Sequence, residues 1–249
     1  MTVSLNLLTM GRSSMVVPTL TSNLEKAGAR IDEIVWCDNG SEWHEFCAMR
    51  DSMAAHQKER GFKFIQVRHS QNLGAAPGYN RCAALSTSDL LLITGCDRVM
   101  PDNWLADMLA VMADADIAIA SVYSVPPDRA RDRMRGAPAM IGTIEVTPAM
   151  PFEARIYRRE LLRAAGYLRE DFGLYGWEDV EWSHRVLRVC MERGWTSVAI
   201  TNMLPKNLCN HGHHAPDEYQ AFKDAQASDP AKIALAQKCK RDGFPFYSP

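Results

Sequence analysis

Three clusters of residues have the types and spacing to do chemistry. The first is Asp97. It follows the apolar run Leu90-Leu91-Leu92-Ile93 and the pair Gly95-Cys96. A short apolar run bounded by polar residues and glycine reads as a buried strand of a parallel sheet. A carboxylate at the carboxyl end of such a strand stands where open α/β sheets bind ligands, although Asp is also common in plain turns. The second cluster is Trp177-Glu178-Asp179, after the turn Gly173-Leu174-Tyr175-Gly176. One of these carboxylates could act as a general base toward a ligand. Both could instead answer the positive end of a helix. Adjacent helical positions point in different directions, so the two acids have different roles. The third is Cys209-Asn210-His211-Gly212-His213-His214. Imidazoles with a carboxylate suit a divalent cation, and a Cys with three His also suggests zinc. No second Cys/His pair has finger spacing, which argues against zinc. A solvated polar loop is the plainer reading of that segment.

These residues need elements to position them. Val3–Leu8 reads as a strand, and the polar turn Thr9–Ser14 leads to a helix over Met15–Ala27. Ile31–Cys37 is a strand ending at Asp38-Asn39-Gly40-Ser41, followed by a helix over Trp43–Arg60 that Gly61 closes. Phe62–Val67 is a strand, Asn72-Leu73-Gly74 a turn, and Ala76–Leu85 a helix. The strand Leu90–Thr94, a helix Asn103–Met112 opened by Pro101, and a strand Ile117–Tyr123 complete the first half. This alternation implies βαβ units and a mostly parallel sheet. Right-handed crossovers then gather Thr9–Arg12, Asp38–Ser41 and Asp97 on one rim. The second half is less regular. Strands are expected over Met140–Glu145, Phe152–Ile156 and Trp195–Ile200. Helices are expected over Arg158–Ala165 and from Glu178 to Arg193, with a helical tail from Asp217 to about Lys240, interrupted near Pro230. Arg129, Arg131, Arg133 and Arg135 alternate within a Pro- and Gly-rich stretch. That stretch reads as a solvated loop, or as a lid whose guanidinium groups meet phosphate.

Composition narrows the classes. The chain has 249 residues, 47% hydrophobic and 23% charged, with a formal net charge of -2. No basic field points to nucleic acid or to an anionic membrane. Seven scattered cysteines, an odd number, fit a reduced cytoplasmic protein better than a disulfide framework. Met1–Leu8 lacks a basic leader region and reads as a first strand, and no apolar run approaches the roughly 20 residues that span a bilayer.

The order of motifs resembles the family 2 glycosyltransferases of the GT-A fold, over roughly Val3 to His214. Asp38-Asn39-Gly40-Ser41 is similar to that family's D-[DN]-G-S turn. Asn72-Leu73-Gly74 and Gly78-Tyr79-Asn80-Arg81 resemble its N-x-G…N-x-G segment. Gly95-Cys96-Asp97 lies where the family carries D-x-D, ahead of Pro101-Asp102-Asn103-Trp104-Leu105. Arg158-Arg159, Gly166-Tyr167-Leu168, Trp177-Glu178-Asp179-Val180-Glu181 and Arg185 resemble its later block. The resemblance implies a Rossmann-like α/β fold of the nucleotide-diphospho-sugar transferases. Residues 1–215 would form the transferase domain, with a donor half over 1–123 and an acceptor half over 124–215. A helical tail, 216–249, would pack on it. Thr9, Arg12, Asp38, Asn80 and Asp97 would bind a nucleotide-sugar donor. Asp97 with His211, or His213 instead, would hold Mn²⁺ or Mg²⁺. Asp179 would be the general base, with Trp177 and Glu178 lining the site of a glycan or other hydroxyl-bearing acceptor. The implied reaction is metal-assisted, inverting sugar transfer, with a UDP-sugar as the default donor.

One departure stands out. Gly95 occupies the first acidic position of D-x-D, which weakens the metal site and opens a second reading, an inactive nucleotide-sugar or glycan-binding relative. A nucleotidyltransferase would want a glycine-rich basic loop after the first strand, and a dinucleotide oxidoreductase a G-x-G-x-x-G. Thr9–Ser14 supplies neither.

Overall fold

The computed structural model describes residues 1–123, 132, 134–151, 153–208 and 217–248. The first half runs β1 (Val3–Thr9), α1 (Ser13–Glu25), β2 (Glu33–Asn39), α2 (Trp43–Arg60), β3 (Lys63–His69), α3 (Ala75–Leu85), β4 (Leu90–Ile93), β5 (Arg98–Val99), α4 (Trp104–Met112) and β6 (Ile117–Val122). The second half adds β7 (Ala139–Ile141), β8 (Ile144–Pro148), β9 (Ala154–Arg158), α5 (Arg159–Ala165), α6 (Glu178–Arg193), β10 (Thr196–Ile200), β11 (Lys206–Asn207), α7 (Asp217–Ala227) and α8 (Pro230–Arg241).

Nine strands form one sheet in the order β3-β2-β1-β4-β9-β6-β10-β8-β7. β1, β2, β3 and β4 pair in parallel, as do β6 and β10. β9 runs antiparallel to both β4 and β6 and fills the gap between them. The expected α/β architecture is present, but the sheet is mixed: four of its eight pairings among the described residues are antiparallel, and the expected strand over Phe152–Ile156 appears as β9 (Ala154–Arg158), inserted in the opposite direction. Four of its five residues are buried, as a central strand requires. The strand expected over Met140–Glu145 is in fact the hairpin β7–β8, turned at Gly142 with φ 61°. That is the left-handed region where glycine costs nothing.

β4 shows why its sequence is continuously apolar. Leu90 and Leu92 enter the core under α1, α2 and α4 with Leu20, Met49, Trp104 and Met108. Leu91 and Ile93 enter the other core, under α3, α5 and α6, with Leu161, Trp182 and Val186. A strand covered on both faces has no polar side to show. Arg185 of α6 is fully buried. It donates from Nε and Nη2 to both oxygens of Glu181, at 3.1 and 2.5 Å, and from Nη1 to Ala165 O at 2.7 Å. The bidentate pair within α6 holds the guanidinium in place, and its bond to Ala165 O ties α6 to the end of α5.

The C-terminal helices close on the same layer. Lys232 of α8 donates to Tyr175 O at 2.8 Å and to Gln226 Oε1 at 2.7 Å. Tyr167 N donates to Tyr247 O at 3.0 Å. No helix among the described residues is long and apolar enough to cross a membrane. The six described cysteines are all free.

Candidate active site

The loops after β1 and β2 meet over Asp38. Its carboxylate is fully buried, accepts from Ser41 N at 3.3 Å and from Ser41 Oγ, and pairs with Arg68 Nε at 3.3 Å. Ser41 Oγ in turn accepts from Gly11 N at 2.7 Å, so one hydroxyl clips the two loops together. Arg68, at the end of β3, also donates to Ser41 O and lies over the rings of Trp43 and Phe46, 5.0 and 4.5 Å from their centroids. Trp43 is 61% exposed. An exposed indole braced by a cation beside a buried carboxylate is a platform for a flat heterocycle. Thr9 is buried, with Oγ1 accepting from Trp36 Nε1 at 2.8 Å. Its contribution is to fix Trp36, which stacks on Phe46. Arg12 takes a left-handed conformation, φ 60°, and its carbonyl caps α1 by accepting from Met15 N and Val16 N.

A chain of contacts links this pocket to α6. Asn39 donates to Asn72 Oδ1 and Gly74 O, at 2.7 and 3.0 Å. Gly74 has φ 102°, and a Cβ there would stand 2.8 Å from Gly173 O. The backbone of Ala75 donates to Leu174 O at 3.0 Å. The glycine is needed because the turn that enters α6 lies directly against the start of α3. Asn80 belongs to this brace. Its amide donates to Leu168 O and Glu170 Oε1, at 2.8 and 2.9 Å, and accepts from Leu168 N at 2.9 Å. Both of its N–H groups are committed to these bonds, so it braces α3 against Leu168 and Glu170.

Asp97 stands just past β4, half-buried. β5 follows at once and pairs antiparallel with β11. Leu208 N donates to Asp97 O at 2.8 Å, so the chain leaves the described residues beside Asp97. His211 and His213 lie outside the described residues, as do Arg129, Arg131 and Arg133; Arg135 is described and donates to Asp132 O and Met134 O. A Cβ on Gly95 would meet Asp97 Oδ1 at 2.6 Å and Arg98 Nε at 2.8 Å. Arg98 is held by Glu153 at 2.5 Å. Among the described residues no group of three His, Cys, Asp or Glu could hold a metal. Asp97 is thus, among the described residues, a single carboxylate, fewer ligands than a divalent cation takes.

The first turn of α6 carries the paired acids. Trp177 enters it with φ 73°, a costly conformation for a bulky residue, and is pinned by its Nε1 donating to Ala227 O at 2.8 Å. Ser183 Oγ donates to Pro151 O at 2.5 Å, so α6 is moored next to the Glu153 that holds Arg98. Asp179 is partly exposed, and its Oδ1 accepts from Val180 N at 2.8 Å. Glu178 is 7% exposed, and its Oε2 has no hydrogen-bond partner among the described residues. Burial first, then the charge of Asp179, pushes its carboxyl up to about 7. Adjacent in sequence, the two acids sit in different environments.

The raised carboxyl has a consequence for stability. Its ordinary value is 4.5 and its folded value is about 7. The stabilising contribution is therefore complete below about pH 4.5, falls as pH rises and is gone above about 7. Unfolding free energies measured from pH 4 to 8 should show Glu178→Gln losing less stability than the wild type across that window, by roughly 3 kcal/mol. Parallel curves would show that Glu178 is not held neutral by the fold.

Arg68 and Trp43 carry no motif, and Lys232 and Ala227 lie in a polar tail. The aromatic-basic combination near Asp38 became visible only when β3 paired beside β2.

Comparison with known proteins gives the family. The model described as "Glycosyl transferase family 2" matches residues 7–169. No curated protein matches the sequence. Among solved structures, a mannosyltransferase from Pyrobaculum calidifontis in complex with GDP-Man and Mn²⁺ is 20% identical, with a TM-score of 0.65 over 95% of this chain. GalNAc-T7 with UDP, GalNAc and Mn²⁺ is 15% identical, with a TM-score of 0.63 over 98% of this chain. TarS residues 1–349 from S. aureus is 12% identical, with a TM-score of 0.60 over 82%. This chain spans 64%, 49% and 59% of those three. At such identities the likeness is one of fold, and that fold is GT-A. The family match extends over more than half of the sequence; the chain belongs to glycosyl transferase family 2.

Proposed function

We propose that the chain is an inverting glycosyltransferase that moves a sugar from a nucleoside-diphosphate donor, UDP-linked by default, to an acceptor hydroxyl. The transferring unit is taken as residues 1–215, with 216–249 packed on it. The observation that carries the reading is the environment of the two acids on α6. One is partly exposed at the helix start, and its neighbour is buried and held near neutrality. Ser183, one turn further along α6, bonds Pro151 O, two residues before the Glu153 that pairs with Arg98, the residue after Asp97.

In this reading Asp38, Arg68 and Trp43 receive the nucleoside. Asp97 would hold Mn²⁺ or Mg²⁺ together with His211 or His213, and the cation, when bound, offsets charge on the departing diphosphate. Asp179 accepts the proton of the acceptor hydroxyl. That oxygen bonds to the anomeric carbon as the carbon–oxygen bond to the diphosphate breaks on the opposite face, which gives inversion. Glu178, protonated near neutral pH, can donate a hydrogen bond to a sugar oxygen. Two of the similar structures hold Mn²⁺ with a nucleotide or nucleotide sugar, one with GDP and one with UDP chemistry, which supports the class without choosing the base. Gly95 favours one competing reading, a relative that binds nucleotide sugar without turning it over.

Melting of the protein with UDP, GDP, UDP-glucose, UDP-N-acetylglucosamine and GDP-mannose, with and without Mn²⁺, tests the class. A ligand at about 100 times its Kd stabilises the folded state by about 2.7 kcal/mol. A Mn²⁺-dependent rise with at least one of them is expected. No rise with any overturns the reading, and binding without release of nucleoside diphosphate to any acceptor favours the binding relative.

A further inference from the structure

Arg155 is the buried charge that the mechanism above leaves unused. It lies on β9, paired across from Ile93 at the end of β4 and from Ser121 on β6. It is 5% exposed, and its Nε has no hydrogen-bond partner among the described residues. The bidentate carboxylate that satisfies the other buried arginine, Arg185, has no counterpart here among the described residues. Its guanidinium lies over the Trp182 ring, 4.9 Å from the centroid. Trp182 follows Glu178 by four residues on α6, so the two share a helix face. Arg155 also lines a small cavity with Tyr79, Asn80, Ile93, Tyr157 and Trp182. Burying a guanidinium without partners is costly unless something is meant to meet it.

A buried cation and a buried carboxyl held near neutrality therefore share this face of α6, each with an atom that has no hydrogen-bond partner among the described residues. The carboxyl atom is Glu178 Oε2 and the guanidinium atom is Arg155 Nε, and the positive charge of Arg155 acts on that carboxyl. A group that accepts from a guanidinium and either donates to a carboxylate or accepts from a protonated carboxyl would satisfy both. A sugar hydroxyl does each. The position selects which sugar. Arg155 sits beside the strand that delivers Asp97, and its partner face is the helix whose first turn carries Asp179. An in-line displacement puts the transferred sugar between the diphosphate and the base.

We propose that Arg155, stacked on Trp182 and opposite Glu178, is a specificity-determining residue that hydrogen-bonds a ring hydroxyl of the transferred sugar. The inference rests on the transferase reading. It assigns to the fork of Arg155 the part of donor affinity contributed by the sugar, and none of the part contributed by the nucleoside diphosphate. Arg rather than Lys is required, because the planar group both stacks and forks.

Calorimetric titration with Mn²⁺ present separates the two parts. UDP is compared with UDP-glucose and UDP-N-acetylglucosamine, and GDP with GDP-mannose. In the wild type at least one sugar nucleotide should bind more tightly than its own diphosphate. Arg155→Met should remove that gain, a loss of about 10-fold or more, while UDP or GDP binds as before. Arg155→Lys, which keeps the buried charge and guards against a failure to fold, should lose most of the gain with a melting temperature near the wild type's. A gain that survives in a folded Arg155→Met or Arg155→Lys protein overturns the proposal. So does a loss that falls equally on UDP or GDP alone, or a wild type that gains nothing from any of the sugars. Failure of UDP and GDP to bind the wild type at all overturns the transferase reading, and is told apart by that result.

Discussion

Asp179→Asn is expected to slow sugar transfer by roughly 10³-fold while nucleoside diphosphate affinity stays within about threefold of the wild type. The asymmetry follows from where Asp179 stands. It is in the first turn of α6, while the proposed nucleoside pocket is built by Asp38 at the end of β2, Trp43 at the start of α2 and Arg68 at the end of β3. Asparagine keeps the size and can still accept from Val180 N, so the helix start should survive. What it loses is the capacity to take a proton. The same change removes a negative charge beside Glu178, which lowers the carboxyl that burial and Asp179 together raise. A shift of the alkaline limb of any residual activity toward lower pH would accompany the loss of rate, because Glu178 acts protonated. Release of nucleoside diphosphate, measured with the donor that the melting series selects, reads the effect. Transfer that persists undiminished in Asp179→Asn would remove Asp179 from the base role and leave the partly buried acids of α6 as helix-end charges only.

Some of this site was legible in the residues and some was not, for physical reasons that differ from case to case. The run Leu90–Ile93 could be read as a two-sided buried strand because both of its faces demand apolar side chains. Asp38-Asn39-Gly40-Ser41 could be read as a rim turn because Gly40 has φ 85° and meets the backbone of Gln71, a position for glycine alone. β9 could not be placed. Its order in the chain says nothing of its insertion between β4 and β6, since that choice is made by pairing across more than sixty residues of sequence. For the same reason nothing in the sequence marks Arg155, which falls inside the expected strand Phe152–Ile156, or Arg68 and Trp43. Asn80 has partners that its motif does not announce. It sits in a motif-like segment, yet a buried amide with both donors committed to Leu168 and Glu170 holds the fold. Motifs marked the loops. Partners, which only the folded chain supplies, separated residues that face a ligand from residues that brace the loop.

Asp97→Ala is expected to abolish the Mn²⁺-dependent part of the melting shift and to lower transfer by at least about 10²-fold, with binding of uridine or guanosine alone unchanged. The expectation is sharper here than for a site with two acids. Gly95 supplies no carboxylate, and among the described residues no cluster of three His, Cys, Asp or Glu provides a substitute. Asp97 is therefore the one acid placed just past β4, and its backbone carbonyl accepts from Leu208 N. The mutation removes the side chain and keeps that backbone bond, so it tests the carboxylate apart from the tether. Nucleosides without phosphate report on the proposed pocket of Asp38, Arg68 and Trp43, which lie on β2, β3 and the start of α2. Manganese titration of the wild type and Asp97→Ala with saturating UDP or GDP reads the outcome directly. Equal Mn²⁺ dependence in the two proteins would place the cation, and the diphosphate it serves, away from the end of β4. Loss of nucleoside binding together with the Mn²⁺ response would instead mean that the β5–β11 corner had collapsed, and the single-carboxylate account would fail with it.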